Sequence, residues 1–465
     1  MSTRLKADYL VVGAGAVGMA FVDSLITASD ACVVMVDRRH APGGHWHDAY
    51  PFVRLHQPSA YYGVNSLPLG EDRIDNWGTN IGLLERATAP EICGYYARVM
   101  QHSLLPSGRV EYFPNCEYLG DKRFVSRLTG ETYEVDVGVA VVEANYLSPA
   151  VPATTPFPFE VEAGVRCIAI NELSRLREMP SGYVIVGAGK TAMDACLWLL
   201  QNAVAPERIR WIKPRESWLV NREFAQAGEM VGSLIEGLSL QMQAAAEAES
   251  RQDLFRRLEA SEILLRVDQG VEPTMYKVAT VDRNELAEMR RIRDVVRLGH
   301  VLRIERERIV LEAGSIPTDT NWIHVHCAAE GLNPAPAVPI FAEGRITLQS
   351  VRTGLPPFNA ALIGYIEATR DDLAEKNRLC PVNSYPDQAL DWLRGTMIQA
   401  RADYGWSRQP DIAAWLERSR LNPSCGFQKH IGEARVQESL QRYATNVAAA
   451  LKKLEAMVGA AEGRR

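Results

Sequence analysis

The sequence predicts an α/β fold built on two parallel sheets, and three observations predict it. An apolar run, DYLVVG (8–13), leads into a helical pattern and then into a second apolar run, ACVVMVD (31–37). The same order recurs in GYVIVGAGKTAMDACLWLL (182–200), with a second strand near 207–212. Between strand and helix each unit carries a glycine pair, Gly13/Gly15 and Gly187/Gly189. Two strands joined through a helix pair in parallel, because the helix carries the chain back to the same end of the sheet.

Along the chain, residues 38–80 are rich in Gly, Pro, His and Tyr and read as irregular loops, and ICGYYARVMQHSL (92–104) reads as a helix. RVEYFPNCEYLG and ETYEVDVGVAVVEA, within 109–144, read as strands. The proline-rich stretch SPAVPATTPFPF (148–159) suits neither a helix nor a central strand and marks a boundary. Residues 236–266 and 284–297 are charged and read as helical, RERIVLEAG and WIHVHCAAEG as strands, and PPFNAALIGYIEA as a loop opening a helix. From about 384 the pattern is helical. In the last helix Val436, Leu440, Tyr443, Val447, Leu451, Leu454 and Val458 form one apolar face, expected to pack on the body of the protein.

The expected organisation is therefore 1–155, a first dinucleotide-binding part; 156–335, a second such domain with a helical insertion at about 236–300; 336–376, a return to the first domain; and 377–465, a helical C-terminal region. Composition bounds the partners. The 465 residues are 47% hydrophobic and 23% charged with a net charge of −6, which fits a globular protein and not a nucleic-acid binder. No run approaches the ~18 apolar residues of a membrane span, and the N-terminus lacks a secretory h-region. The eight cysteines are scattered without a CxxC, as expected of reduced thiols in the cytoplasm. No metal site is expected, since His45/His47 and His324/His326 have no third ligand in view.

Gly13-Ala-Gly15-Ala-Val-Gly18 fits GxGxxG. The first glycine turns the chain, the second lets a pyrophosphate approach, and the third lets helix and strand pack closely. Asp37, at the end of the next strand, is placed to accept hydrogen bonds from a ribose and to repel a 2′-phosphate. Gly187-Ala-Gly189-Lys190-Thr191-Ala192 keeps the two phosphate-facing glycines and has Ala at the packing position. It is not a P-loop, which would need glycine where Val184 stands. In place of an acid the second unit has Lys213 and Arg215, either a 2′-phosphate site or solvated loop charges. Two turns in one chain suit hydride transfer between two dinucleotides held on one framework.

After Asp37 comes RRHAPGGHWHD, in which Asp37, Gly43, Gly44 and Trp46 resemble the FAD-binding segment of class B flavoprotein monooxygenases, the flavin-containing and N-hydroxylating enzymes among them. The resemblance covers about residues 7–375. It implies two Rossmann-like domains, the NADPH domain inserted into the FAD domain. FAD would lie on Gly13, Gly15, Gly18, Asp37, Arg38, Gly43, Gly44, His45 and Trp46, and NADPH on Gly187, Gly189, Lys190, Thr191, Lys213 and Arg215. ITLQSVRTGLPPFNAALIGYIE (346–367) resembles the closing FAD segment, with Gln349 bonding the isoalloxazine and a helix starting near Phe358-Asn359 aimed at it. Glu143-Ala144-Asn145 stands where relatives have an Ala-Thr-Gly turn, and the Baeyer–Villiger fingerprint FxGxxxHxxxW is absent before the second turn.

The reaction so implied is NADPH reduction of FAD followed by transfer of one oxygen atom from O2, through a C4a-hydroperoxyflavin, to a small organic substrate. An FAD reductase without oxygen insertion and a non-catalytic flavoprotein sensor are the alternatives. His56, Gln57 and Tyr61, in the loop after the glycine pair, are the candidate catalytic residues. A homodimer is left open.

Overall fold

The computed structural model describes residues 3–329, 331–332 and 335–462. Glu330, in the strand segment WIHVHCAAEG, lies outside the described residues.

The first sheet is built on β1 (Thr3–Val12), β2 (Val33–Val36), β3 (Val110–Phe113) and β4 (Thr132–Glu143). Its order runs Phe341–Ala342, Arg345–Thr347, β4, β1, β2, β3. The pairs from Arg345–Thr347 across to β3 are all parallel. Helix α1 (Ala16–Ala28) connects β1 to β2. It is apolar on more than one side because it is covered twice, by the sheet and by a later helix: Met19, Phe21, Val22 and Leu25 are all fully buried.

The second sheet comes wholly from residues between β4 and the returning strands. It contains β5 (Gly182–Val186), β6 (Ile209–Ile212) and β7 (Trp322–His326). Its order is Asp294–Val296, β6, β5, β7, Cys167–Ala169, all parallel. Helix α2 (Lys190–Gln201) connects β5 to β6. The strands read as continuous apolar runs because both faces are covered: Leu199 and Met193 pack on one side, Ile304 and Ile309 on the other.

The expected helical insertion is only partly helical. Helix α3 (Val231–Glu247) and Arg251–Ala260 match it, but Met275–Val281 and Asp294–Val296 are strands. MYKVATV is β-branched and aromatic, with a turn at DQGVEP before it, so the charged flanks misled the helical expectation. The apolar face of the last helix closes this unit: Trp218, Phe255 and Met242 share a core with Trp392, Ala450, Leu454 and Val458. Helix α4 (Pro356–Thr369) starts two residues before the expected Phe358, because Pro356 takes the first helical position, where its missing N–H is harmless. Helix α5 (Ala434–Glu462) ends the described chain. No helix among the described residues is long and apolar enough to cross a membrane.

Candidate active site

The first turn opens onto a cavity of about 440 Å³. Its floor is Gly13 and Gly15 from the first turn, facing Gly44, with Ala144 and Asn145 at the end of β4. The glycines are needed for space. Gly44 has φ +62, and a Cβ on it would lie 2.9 Å from the Gly15 Cα. A Cβ on Gly18 would lie 2.0 Å from the Gly13 carbonyl oxygen and 3.2 Å from the Ala144 Cβ. The loop is held against the turn by Gly43 N–H donating to the Ala14 carbonyl at 2.9 Å.

Asp37 closes one end. Its carboxylate accepts from Ala14 N–H at 2.6 Å and from Arg39 N–H at 2.7 Å, so it builds the turn and still has lone pairs for a ribose. Arg38, Glu117 and Tyr118 line the same end. At the other end stand Tyr62, Gln349, Ser350, Gly354, Pro356, Asn359 and Tyr385. Helix α1 follows its N-cap Gly15 and has no side-chain cap and no acidic residue in its first turn, so its first N–H groups are free for an anion. The N-terminus of α4 opens on the far end through Pro356, and its dipole favours negative charge there.

Several predicted residues have other duties. Gln349 lines the cavity, but its amide spans the backbone of Val338, donating at 2.7 Å and accepting at 3.3 Å. Asn359 also lines it, accepting from Arg352 N–H and donating to Arg352 C=O, at 2.7 and 2.8 Å. Phe358 is buried in the core against Trp406 and Trp415 and does not reach the cavity. Trp46 stands behind the wall and donates its indole N–H to the Tyr62 hydroxyl at 2.8 Å. His45 is in the wall; burial first, and Arg39 second, hold its imidazole down at about 4, so it is neutral near pH 7.

The second turn repeats the backbone of the first. Gly187 has φ +144 and a Cβ there would lie 2.9 Å from the Cys327 carbonyl, while Gly189 has open space where a side chain would stand. Ala192 is fully buried at the helix–strand contact. Helix α2 also lacks a side-chain cap. Lys190 turns back to pair with Asp194, whose other oxygen accepts from the Tyr50 hydroxyl at 2.5 Å. Thr191 interacts with the same Tyr50 hydroxyl.

The basic pair differs from expectation. Lys213 occupies the position after β6 that Asp37 occupies after β2, but it is not a free cation. It is buried, its Nζ donates to Glu216 at 2.6 Å, and it lies 4.3 Å above the Trp211 ring. A buried ammonium without a partner costs several kcal/mol, and Glu216, three residues on, supplies that partner. Arg215 is partly exposed and faces Asp387 of the C-terminal region at 3.5 Å.

The catalytic candidates divide. His56 is outside the cavity wall and lies among the cations near the second turn. Burial, then Lys190, push its imidazole down to about 3 against the pull of Asp194, with Arg222 and Arg86 adding to the shift. It is a neutral side chain there, with one N–H donor and one acceptor nitrogen. Tyr61 donates to the Ala225 carbonyl at 2.8 Å, which uses its only proton for a link between the two halves. Gln57 stands beside them without lining the cavity. Arg222 is wholly buried. It bonds Asp282, donates to Glu285 at 2.7 Å and holds the His56 carbonyl at 2.7 Å. Arg86 joins the same Glu285 at 3.0 Å. Burial would raise the Glu285 carboxyl, but Arg222, Arg86 and Lys190 outweigh it and keep it ionised.

No protein-family model matches the chain. It is 50% identical over 419 residues to the proteins named Uncharacterized protein Rv2000, of Mycobacterium tuberculosis, and Uncharacterized protein Mb2023, of Mycobacterium bovis. The match covers 90% of this chain and 78% of each of theirs. The chain belongs to the family of these mycobacterial proteins. Among solved structures it is similar to the polycyclic ketone monooxygenase of the thermophilic fungus Thermothelomyces thermophila. There the TM-score is 0.50 at 14% identity, over 95% of this chain and 89% of that one, a likeness of fold.

Sequence reasoning missed Tyr118 and Tyr385 as wall residues and Arg420 as the brace of the 59–64 loop. Arg420 donates to the carbonyls of Ala60, Tyr62 and Val64 at 2.7–2.9 Å and to that of Ser59 at 3.3 Å. The only signal was a lone arginine in a helical tail; a contact separated by some 360 positions leaves no periodic trace.

Proposed function

We propose that this protein is an FAD-dependent monooxygenase that uses NADPH and transfers one atom of O2 to a small organic substrate. FAD would lie in the cavity of the first turn, and NADPH would dock on the second turn of an inserted nucleotide-binding domain. The observation that carries the reading is the continuous cavity from Asp37, over the Gly13, Gly15 and Gly44 floor, to the N-terminus of α4. It has a ribose acceptor at one end, an uncapped helix N-terminus at the middle and a second helix end at the far wall, the donor set a dinucleotide flavin needs.

When bound, FAD supplies the electron and O2 chemistry. The chain supplies the rest. Asp37 fixes the ribose, the first N–H groups of α1 take the pyrophosphate, and the α4 dipole favours electron-rich ring states. Tyr62 and His45 wall off water, and His45, neutral, adds no competing charge. The fungal neighbour is named for ketone oxygenation, which supports the oxygenase reading. The missing FxGxxxHxxxW directs the substrate class towards nitrogen, sulfur or carbon nucleophiles instead of ketones. The test is anaerobic reduction by NADPH followed by mixing with 18O2 and a panel of such nucleophiles. Label in a product supports the reading. Rapid reoxidation to free peroxide with no labelled product across the panel would reduce it to an NADPH-dependent flavin reductase.

A further inference from the structure

Among the described residues the Tyr62 hydroxyl accepts a hydrogen bond but forms none as a donor. The bond it accepts comes from Trp46 Nε1 at 2.8 Å. The Tyr96 ring stands edge-on at 6.4 Å, and the Tyr96 hydroxyl, fully buried and without a well-formed bond of its own, interacts with the Tyr62 oxygen. A phenol oxygen has two lone pairs and one O–H. With the indole and the second phenol directed at the lone pairs, the O–H is the valence left over, and Tyr62 is in the cavity wall beside Gly44 and His45.

The frame around this hydroxyl is fixed. Arg420 holds the carbonyls of Tyr62 and Val64. Behind them the Tyr95 hydroxyl accepts from Val64 N–H at 2.8 Å and donates to the Leu67 carbonyl at 2.7 Å. Gly63 has φ +105, and a Cβ there would lie 2.2 Å from the Tyr95 oxygen, so only glycine lets the loop lie this close to Tyr95. Burial raises the Tyr62 phenol well above its ordinary range, so it keeps its proton at any working pH. A buried donor with no partner is destabilising, and a ligand acceptor in the cavity that Tyr62 lines would supply the missing partner.

The geometry points to Tyr62 as a cofactor-binding residue that donates a hydrogen bond to an acceptor atom of the flavin ring, with Trp46 and Tyr96 orienting the hydroxyl. This rests on the proposed placement of FAD in the first cavity. A hydrogen bond of this kind strengthens as the ring gains electrons, so Tyr62 holds reduced FAD more tightly than oxidised FAD.

The experiment compares wild type with Tyr62→Phe, which removes one oxygen and keeps the ring. FAD is titrated into the apoprotein, and the midpoint potential of the bound flavin is measured by anaerobic dye equilibration. The expected result is weaker binding in both states with about tenfold greater loss for the reduced form, which lowers the two-electron potential by about 30 mV, together with a changed flavin absorption envelope. Trp46→Phe frees one lone pair of the same oxygen and should shift the potential in the same direction by less; it serves as the second variant if Tyr62→Phe does not fold. A wild-type protein that binds no FAD would remove the placement of the flavin and this inference together. Normal FAD binding with unchanged potential and spectrum in both variants would overturn the role of Tyr62 alone.

Discussion

Gly18→Ala tests the first turn at its tightest point. The new methyl carbon would lie 2.0 Å from the Gly13 carbonyl oxygen, where a relaxed C···O contact is about 3.3 Å. Helix α1 would have to move back by roughly 1.3 Å. It has no room behind it, because α4 lies against it backbone to backbone: a Cβ on Gly364 would meet the Phe21 carbonyl oxygen at 2.5 Å. Overpacking without relief costs about 3 kcal/mol. If that strain falls on the turn, FAD affinity drops by about 100-fold. FAD titration by quenching of flavin fluorescence, with a thermal melt alongside, reads both effects. The second turn gives the control. Ala192 already fills the corresponding place, fully buried and accommodated, so Ala192→Gly should cost about 1 kcal/mol of helix propensity and leave the turn intact. A Gly18→Ala protein that melts and binds FAD like wild type would refute the packing argument.

Three further predictions follow from the site. Glu216→Gln releases Lys213 from its buried partner, and the ratio of kcat/KM for NADPH over NADH should rise by about tenfold through a new charge-assisted bond to the 2′-phosphate; an unchanged ratio would place the phosphate elsewhere. Arg420→Ala strips donors from the carbonyls of Ser59, Ala60, Tyr62 and Val64, which should cost about 3 kcal/mol and speed FAD release, with Arg420→Lys recovering only part; equal FAD release rates in all three proteins would mean that the loop is held without it. His56 has a folded value of about 3 against about 6.5 unfolded. Its contribution is therefore complete above the unfolded value and is lost as pH falls from there towards 3. By about pH 5 the loss is about 1–2 kcal/mol, and His56→Gln should show a smaller drop in melting temperature between neutral pH and pH 5 than wild type.

The parts of the fold written in local pattern were legible. DYLVVG and GYVIVG are strands, the glycines start their helices, and the heptad-like face from Val436 to Val458 packs against α3 and its neighbours. Local pattern failed where long-range contacts decide. MYKVATV carries strand-forming residues, but the partner strand it adds to, Ser217–Asn221, lies far off in sequence and leaves no trace in its charged flanks. Lys213 looked like a phosphate ligand until the fold buried it with Glu216, and Tyr61 looked like a catalytic phenol until its proton was taken by Ala225. Gly13, Gly15, Asp37, Arg38, Gly44, His45, Gln349 and Asn359, expected to bind a cofactor, all line one cavity. Tyr118, Tyr385 and the Arg420 brace were not expected, since each is brought there by a segment remote in sequence.

The central claim is that the first turn holds a flavin within electron-transfer reach of a coenzyme on the second. The most direct measurement is the visible spectrum of the purified protein, reconstituted with FAD and then given NADPH without oxygen. The account predicts a yellow protein with stoichiometric FAD whose flavin bands bleach on adding NADPH and return with air. A protein that stays colourless after FAD is supplied would contradict it, as would bound flavin that no reduced nicotinamide coenzyme can bleach.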